Sequence, residues 1–285
     1  MSNNILKSHA KINLFLNVGK KLRKKNLHDI QSLVFLINLH DEIYIKKNKS
    51  KKDEIKFLGK FSKKINAHNN SIKTSLYLLR KKKFVDKKNY YKIIIKKNIP
   101  VFSGLGGGSS NSASIIKHFC KKKISQNNIN YFARYIGSDL PLFLKSKRTL
   151  QKNLLTFKSF KKNYKFYFLL IFPFIKCSTK EIYSKYRVNY TTKKKLKFSY
   201  KNKSKFVNSL KLTSNSLHDI VTNKFPVISD ILKEVEFLKG CQLSRITGSG
   251  SACFGLFLNK RDATLAKNQI RKKFPNFWCN LSKTI

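Results

Sequence analysis

Apolar and polar positions change period several times along the chain, and each change predicts an element. KINLFLNV near the N-terminus, then QSLVFLINL and DEIYIKK, read as strands, so the first 45 residues are expected to be β. EIKFLGKF adds a further strand candidate. In NNSIKTSLYLLRKKK the apolar residues Ile72, Leu76 and Leu79 recur at helical spacing, behind Asn69 or Asn70 as an N-cap. YYKIIIKKNIP is β-branched and rises into Pro100, where a strand should end. After a run of glycines, SSNSASIIKHFCKKK places Ile115, Ile116, Phe119 and Cys120 on one helical face. NNINYFARYIG predicts a second helix, stopped by Gly137.

Residues 150–164 are lysine-rich and weakly periodic, and they mark the expected domain boundary. Beyond them KFYFLLIFPF predicts a strand, and STKEIYSKYR opens with a capping-box pattern from Ser178 to Glu181. NSLHDIVTNKF and VISDILKEVEFLKG predict helices, the second stopped by Gly240. CQLSRIT and ACFGLFL predict strands flanking a tight GSGS turn, followed by a helix at DATLAKNQIRKKF and a final strand at FWCNLS. The pattern as a whole predicts an α+β fold.

Composition narrows this picture. Hydrophobic residues make up 41% of the 285, with 23 Phe and 12 Tyr, so the chain is globular. FYFLLIFPFI is only about half as long as the roughly 20 apolar residues of a membrane span and reads as a buried strand. No signal-peptide pattern follows Met1. Cys120, Cys177, Cys241, Cys253 and Cys279 are odd in number and contain no CxxC pair, which fits neither a disulfide framework nor a zinc site. A reducing cytoplasm is the expectation, with no metal ligand set.

The net charge of +49 changes the picture less than its size suggests. Such an excess raises nucleic-acid binding as a first hypothesis. Only eight of the 62 basic residues are arginines, whereas nucleic-acid readers favour the planar guanidinium. The lysines are also scattered, in KKLRKK, KKNKSKK, RKKK and TTKKK, and do not form one stripe. Lys, Asn, Ile, Phe and Tyr are abundant while Ala, Gly and Pro are scarce, the signature of an A/T-rich coding bias. The charge is therefore expected to draw polyanionic nucleotides towards a site, not to read nucleic acid as its main task.

That site is announced by Gly104-Leu105-Gly106-Gly107-Gly108-Ser109-Ser110, between a strand ending at Pro100 and a helix beginning near Ser109. Glycines allow close approach and positive φ, so successive N–H groups can converge on an anion. The helix adds its unpaired N–H groups and the positive end of its dipole. Ser109 and Ser110 can cap that helix or donate hydroxyls to phosphate. No GK[ST] follows, as a Walker A loop requires, and no acidic residue lies where a Rossmann fingerprint needs one.

The string P-x-x-x-GLGGGSS-[ND]-x-A, Pro100 through Ala113, resembles the phosphate loop of the GHMP kinase superfamily. SHAKINLFLNV resembles its first motif and ITGSGSACFGLF its third, in the same order. Four features are similar to one branch in particular: the A-K-[IL]-N-L-x-L opening, His28-Asp29-Ile30-Gln31-Ser32, the triple glycine, and Gly137-Ser138-Asp139-Leu140-Pro141-Leu142-Phe143. That branch phosphorylates the 2-hydroxyl of 4-diphosphocytidyl-2-C-methyl-D-erythritol in the non-mevalonate route to isoprenoid precursors. The resemblance covers the chain from about Ala10 to Trp278.

The resemblance implies a two-domain GHMP kinase fold, with an N-terminal domain like domain 2 of ribosomal protein S5 and a ferredoxin-like C-terminal domain, expected at 1–155 and 156–285. It implies ATP and Mg2+ as cofactors. It places Asp139 as general base with Lys11 beside it. A general base needs only to accept the alcohol proton, because phosphoryl transfer otherwise rests on positioning and charge stabilisation. Pro100, the loop residues 104–110, Lys97 and Asn70 are implied at the nucleotide. Asn13, His28, Tyr183, Thr247, Gly248, Ser249 and Gly250 are implied at the substrate, with His28 and Tyr183 at the cytosine ring. Two departures from that family stand out: Leu27 replaces a tyrosine before His28, and Asn215-Ser216-Leu217-His218 stands in place of an N-D-x-[EF] segment, so two of its acidic or polar features are lost. Another GHMP small-molecule kinase of homoserine or mevalonate type, or a lysine-rich nucleic-acid binder, is the alternative. A small-molecule substrate, no membrane association, and a monomer or weak homodimer are expected.

Overall fold

The computed structural model describes residues 5–21, 27–66, 70–121, 124–187, 198–199 and 201–285. In chain order the elements of the first half are β1 (Leu6–Lys21), β2 (His28–Asn48), β3 (Glu54–Leu58), α1 (Ser71–Lys81), β4 (Tyr90–Lys96), α2 (Gly107–Cys120), α3 (Gln126–Ile136) and α4 (Leu140–Lys145). Then follow β5 (Arg148–Gln151), β6 (Phe157–Ser159), β7 (Tyr167–Phe172), α5 (Thr179–Lys185), α6 (Lys203–Lys211) and α7 (His218–Lys224). The chain closes with α8 (Pro226–Glu236), β8 (Cys241–Ile246), β9 (Cys253–Phe257), α9 (Lys260–Lys273) and β10 (Trp278–Lys283).

Two compact units interleave along the sequence. The first takes the chain up to Lys11, Leu39–Val101 and Gly106–Lys147; the second takes Ile12–Asn38, Phe102–Leu105 and Arg148–Ile285. In the first unit β4 pairs antiparallel with β2, from Glu42↔Lys96 to Asn48↔Tyr90, and parallel with β3. The β-branched run of β4 buries Ile93 and Ile95 completely. Helix α1 packs on α2 and α3, and α2 and α3 pack on α4. Asn70 caps α1 as the pattern predicts, its Oδ1 accepting from the N–H groups of Ile72 and Lys73 at 3.1 Å each. Asn69, the alternative cap, lies outside the described residues, as do most of the KKLRKK and all of the TTKKK lysines.

In the second unit β7, β8, β9 and β10 form an antiparallel sheet in the order β10-β7-β9-β8. Strand β2 pairs through Ser32–Phe35 with β5, which pairs with β6. The core of this unit gathers Leu169 and Ile171 of β7, Phe257 of β9, and Ile228, Ile231 and Val235 of α8. Helix α6 adds Phe206, Val207 and Leu210 to the buried set.

The pattern and the structure part company in a few places. QSLVFLINL and DEIYIKK are one strand, β2, because no Gly or Pro interrupts Asn38-Leu39-His40-Asp41. The weakly periodic segment expected at the boundary takes in the end of β5 and all of β6, and these strands form by pairing, β5 on β2 and β6 on β5, and not from local alternation. Helix α6 hides a narrow apolar stripe among lysines, and α4 is only six residues long, too short for a period to show. Helix α7 begins at His218, three residues late, because the Asn215 side chain accepts from Leu217 N–H (3.0 Å) in a local turn. No helix among the described residues is long and apolar enough to cross a membrane.

Candidate active site

In the glycine loop, Gly106 precedes α2 in a left-handed conformation (φ 74°) and gives that helix no side-chain cap. The first N–H groups of α2 are thus left for another acceptor. A Cβ at Gly106 would lie 2.7 Å from the ring of Phe143 and 3.0 Å from Cγ of Lys11, so only glycine fits there. Gly108 is exposed and Ser109 half-buried. Ser110 is engaged elsewhere: its hydroxyl donates to His9 O (2.6 Å) and accepts from Ser8 (2.8 Å). Pro100 and Leu105 are buried, so what they offer a ligand is backbone.

Asp139 stands at the N-cap position of α4 but makes no capping hydrogen bond. Its carboxylate faces Lys11, Oδ2 lying 3.6 Å from Nζ, with the aspartate side chain 43% exposed and the lysine 4%. Two features hold this carboxylate in place. Lys117 of α2 donates to Phe143 O (2.7 Å), tying α4 to the glycine-loop helix. Phe143, buried, lies against Gly106. Burial pulls the Lys11 ammonium below its ordinary pKa, and the charge and hydrogen bond of Asp139 pull back against that. The pair presents an exposed carboxylate beside a buried cation, next to a helix start with open N–H groups. An anion at the loop and a hydroxyl at the carboxylate are what such a site can take.

Lys97 and Asn70 have other work. The Lys97 side chain is 2% exposed, and its Nζ is bonded to Asp41 and to Asn111 Oδ1 (2.9 Å). Burial lowers its pKa, opposed by Asp41. Asn70 spends its carbonyl on capping α1, but the next residue, Ser71, donates to Gly108 O (3.4 Å) and so brings that helix start to the loop.

In the second unit the turn Thr247–Gly250 packs against the segment Phe102–Leu105. Gly104 has φ 78°, and a Cβ there would lie 2.1 Å from Thr247 O. Ala252 N–H donates to Ser103 O (3.1 Å), joining the same two loops. Asn13 N–H donates to Thr247 Oγ1 (3.1 Å), while Asn13 Nδ2 donates to Ser32 (2.9 Å). Asn13 and Thr247 are both buried, so each is a strut of the turn. Ser249 meets the hydroxyl of Thr179 at 2.9 Å. Asn215, singled out in the sequence only as part of a departure, donates to Ile246 O (3.2 Å) and Gly248 O (2.9 Å).

His28 and Tyr183 are brought together, ring centroids 5.9 Å apart. Tyr186, which the sequence reading passed over, meets His28 edge-on at 5.8 Å and donates to Val18 O (2.9 Å). His28 Nδ1 lies 3.0 Å from Gly19 O, and since a carbonyl oxygen only accepts, Nδ1 carries the hydrogen. Leu27 is exposed beside this cluster in sequence. Asp41 was also missed. Its signal was present: in a chain with only 13 acidic residues, one falls between the buried apolar residues Ile37 and Ile43 of a strand.

Residues 70–146 match the family model for the GHMP kinases N-terminal domain, and residues 204–276 that for the GHMP kinases C-terminal. The chain is 37% identical over 287 residues to 4-diphosphocytidyl-2-C-methyl-D-erythritol kinase of Pelagibacter ubique, covering 98% of each. It is 32% identical to the enzyme of the same name from Clostridioides difficile, covering 94% of this chain and 92% of that one. Among solved structures, a 4-(cytidine 5'-diphospho)-2C-methyl-D-erythritol kinase superposes with a TM-score of 0.73 at 20% identity, over 99% of this chain and 100% of the other. Homoserine kinase from Cytophaga hutchinsonii follows with a TM-score of 0.70 at 14% identity, over 100% and 95%. At those identities the structural matches speak to the fold alone.

Proposed function

The chain belongs to the GHMP kinase family, and we infer that it transfers the γ-phosphate of ATP to the 2-hydroxyl of 4-diphosphocytidyl-2-C-methyl-D-erythritol. The observation that carries the chemistry is the Asp139 carboxylate, exposed, uncommitted to its own helix and 3.6 Å from a buried lysine. In our reading Asp139 accepts the proton of the attacking hydroxyl, and the Lys11 ammonium stabilises charge on the attacking oxygen. The open N–H groups at the start of α2, with Gly106–Ser109, hold the phosphates of ATP. Asn70 and Ser71 lie at the nucleotide side of that loop.

Among the described residues no group of three or more His, Cys, Asp or Glu could hold a metal ion. Mg2+ needs no such cage, because it takes most of its ligands from phosphates and water. Bound with ATP it would spread the charge of the transferring group, and the Ser109 hydroxyl is the oxygen donor we assign near it. His28 and Tyr183 recognise the cytosine, the tyrosine ring stacking on it. We assign Asn13 and the turn Thr247–Gly250 to the substrate as well. We further propose that the enzyme works in the cytoplasm as a monomer or weak homodimer, with its two family domains at 1–155 and 156–285.

The deciding experiment measures turnover of the cytidylyl substrate with MgATP, beside the same diphosphate lacking cytosine, homoserine and mevalonate. Turnover confined to the first supports the assignment. Equal or better turnover of homoserine or mevalonate would overturn it.

A further inference from the structure

We propose that Asp41 is the positioning residue of the phosphate loop, and that Asn111 is the arm through which it holds the loop's far end. Asp41 is completely buried on β2, and its carboxylate collects four donors. Oδ1 accepts from the backbone N–H groups of Asn98 (2.7 Å) and Ile99 (2.9 Å), the two residues that lead into Pro100. Oδ2 accepts from Asn111 Nδ2 (2.9 Å) and from Lys97 Nζ. Asn98 and Ile99 stand before the loop, and Asn111 stands in the first turns of α2 after it. One carboxylate therefore fastens both ends of the glycine segment.

Asn111 extends the clamp. Its Nδ2 also donates to Ser8 Oγ (2.9 Å), Ser8 donates to Ser110, and Ser110 donates to His9 O. The helix start is thereby joined to β1 two residues before Lys11. Lys97 neutralises the buried carboxylate and bonds Asn111 Oδ1, and its Nζ lies 3.3 Å from where a Cβ of Gly107 would be. Ordering a glycine-rich loop around phosphates costs conformational entropy. Holding its ends beforehand removes part of that cost from the binding step. Lys97 serves ATP from behind the loop and not by direct contact.

This inference rests on the loop being the ATP site, and its test separates the two claims. Asn111→Ala cuts the arm while leaving the Asp41–Lys97 pair and the bonds to Asn98 and Ile99 intact. We expect KM for ATP and the ATP dissociation constant, measured by calorimetry, to rise about tenfold. KM for the alcohol substrate should stay unchanged, and amide hydrogen exchange at residues 104–110 should accelerate. Asn111→Asp, which keeps the size but brings a second carboxylate to Oδ2, should be worse than Ala. If Asn111→Ala does not fold, Asn111→Ser carries the same readouts. A folded variant with wild-type ATP affinity and unchanged exchange in the loop would overturn the clamp. Failure of the wild-type protein to bind ATP would instead overturn the loop assignment itself.

Discussion

Lys11 and Lys97 are both buried lysines facing an aspartate within the first unit, yet their partners are in opposite situations. Asp139 is 43% exposed and makes no capping bond, whereas Asp41 is 0% exposed and saturated by four donors. Burial lowers the pKa of both lysines, and each aspartate opposes it. A titration property alone would not tell them apart. What separates them is the carboxylate: one keeps lone pairs open to solvent, and the other has given them all to the fold. The lesson is that a lysine–aspartate pair becomes chemical when its acid is left incomplete.

The largest expected effect breaks the pair that is left open. Asp139→Asn should lower kcat by about 10³-fold, with ATP affinity and melting temperature near wild type. Wild-type-like turnover in that variant would remove Asp139 from the mechanism. Breaking the closed pair should show the reverse. Asp41→Ala strands a buried ammonium and should cost about 3–5 kcal/mol of stability, read from urea unfolding. Combining Asp41→Leu with Lys97→Met should recover only part of that loss, because no charge is stranded but the N–H groups of Asn98 and Ile99 and the Asn111 amide still lose their acceptor. If Asp41→Ala were as stable as wild type, the contrast between the pairs would collapse.

The open pair was legible in the sequence and the closed one was not. Lys11 and Asp139 sit inside strings whose order along the chain is itself a signature, so their pairing could be expected before any geometry. Asp41 sits in a strand of ordinary appearance, and its importance comes from backbone N–H groups 57 and 58 residues away that no side-chain pattern encodes. The same reason explains the two short strands β5 and β6, whose existence depends on β2. Helices with a clear stripe and a cap, such as α1 and α3, were legible because their causes are local. Lys97 shows the limit of a matched position: the residue was expected at the nucleotide, and its ammonium is turned into the protein.

The next effect is on pH. Lys11 gives up its proton more readily than a free lysine, whose pKa is 10.5, because burial disfavours its charge. Turnover that needs the ammonium should therefore fall about tenfold per pH unit on an alkaline limb that begins below 10.5. Stability should move the other way. Between the folded pKa and 10.5 the unfolded chain binds more protons than the native one, so this group's contribution to stability grows as pH rises through that window. Lys11→Arg should push the alkaline limb outward, since guanidinium stays protonated. A limb unmoved in that variant would assign it to another group.

The smallest effect asks whether exposure marks ligand contact on the cytosine side as well. Leu27 is 44% exposed and beside His28 in sequence, and in our reading a tyrosine there would offer the cytosine a second aromatic face. Tyr183 and Tyr186 already bracket the His28 ring, and Gly19 O fixes its Nδ1 hydrogen, so one wall of that site is built without Leu27. Leu27→Tyr should then lower KM for the cytidylyl substrate about fivefold, at the low end of what a base–aromatic contact contributes. KM for ATP and the unfolding midpoint should not move, because the residue supports no core. Tyr183→Ala gives the matched control, raising the same KM by about tenfold through loss of the existing face. If Leu27→Tyr changed stability and left that KM alone, Leu27 would belong with Asp41 as a piece of scaffold, and exposure would lose its value as the dividing criterion.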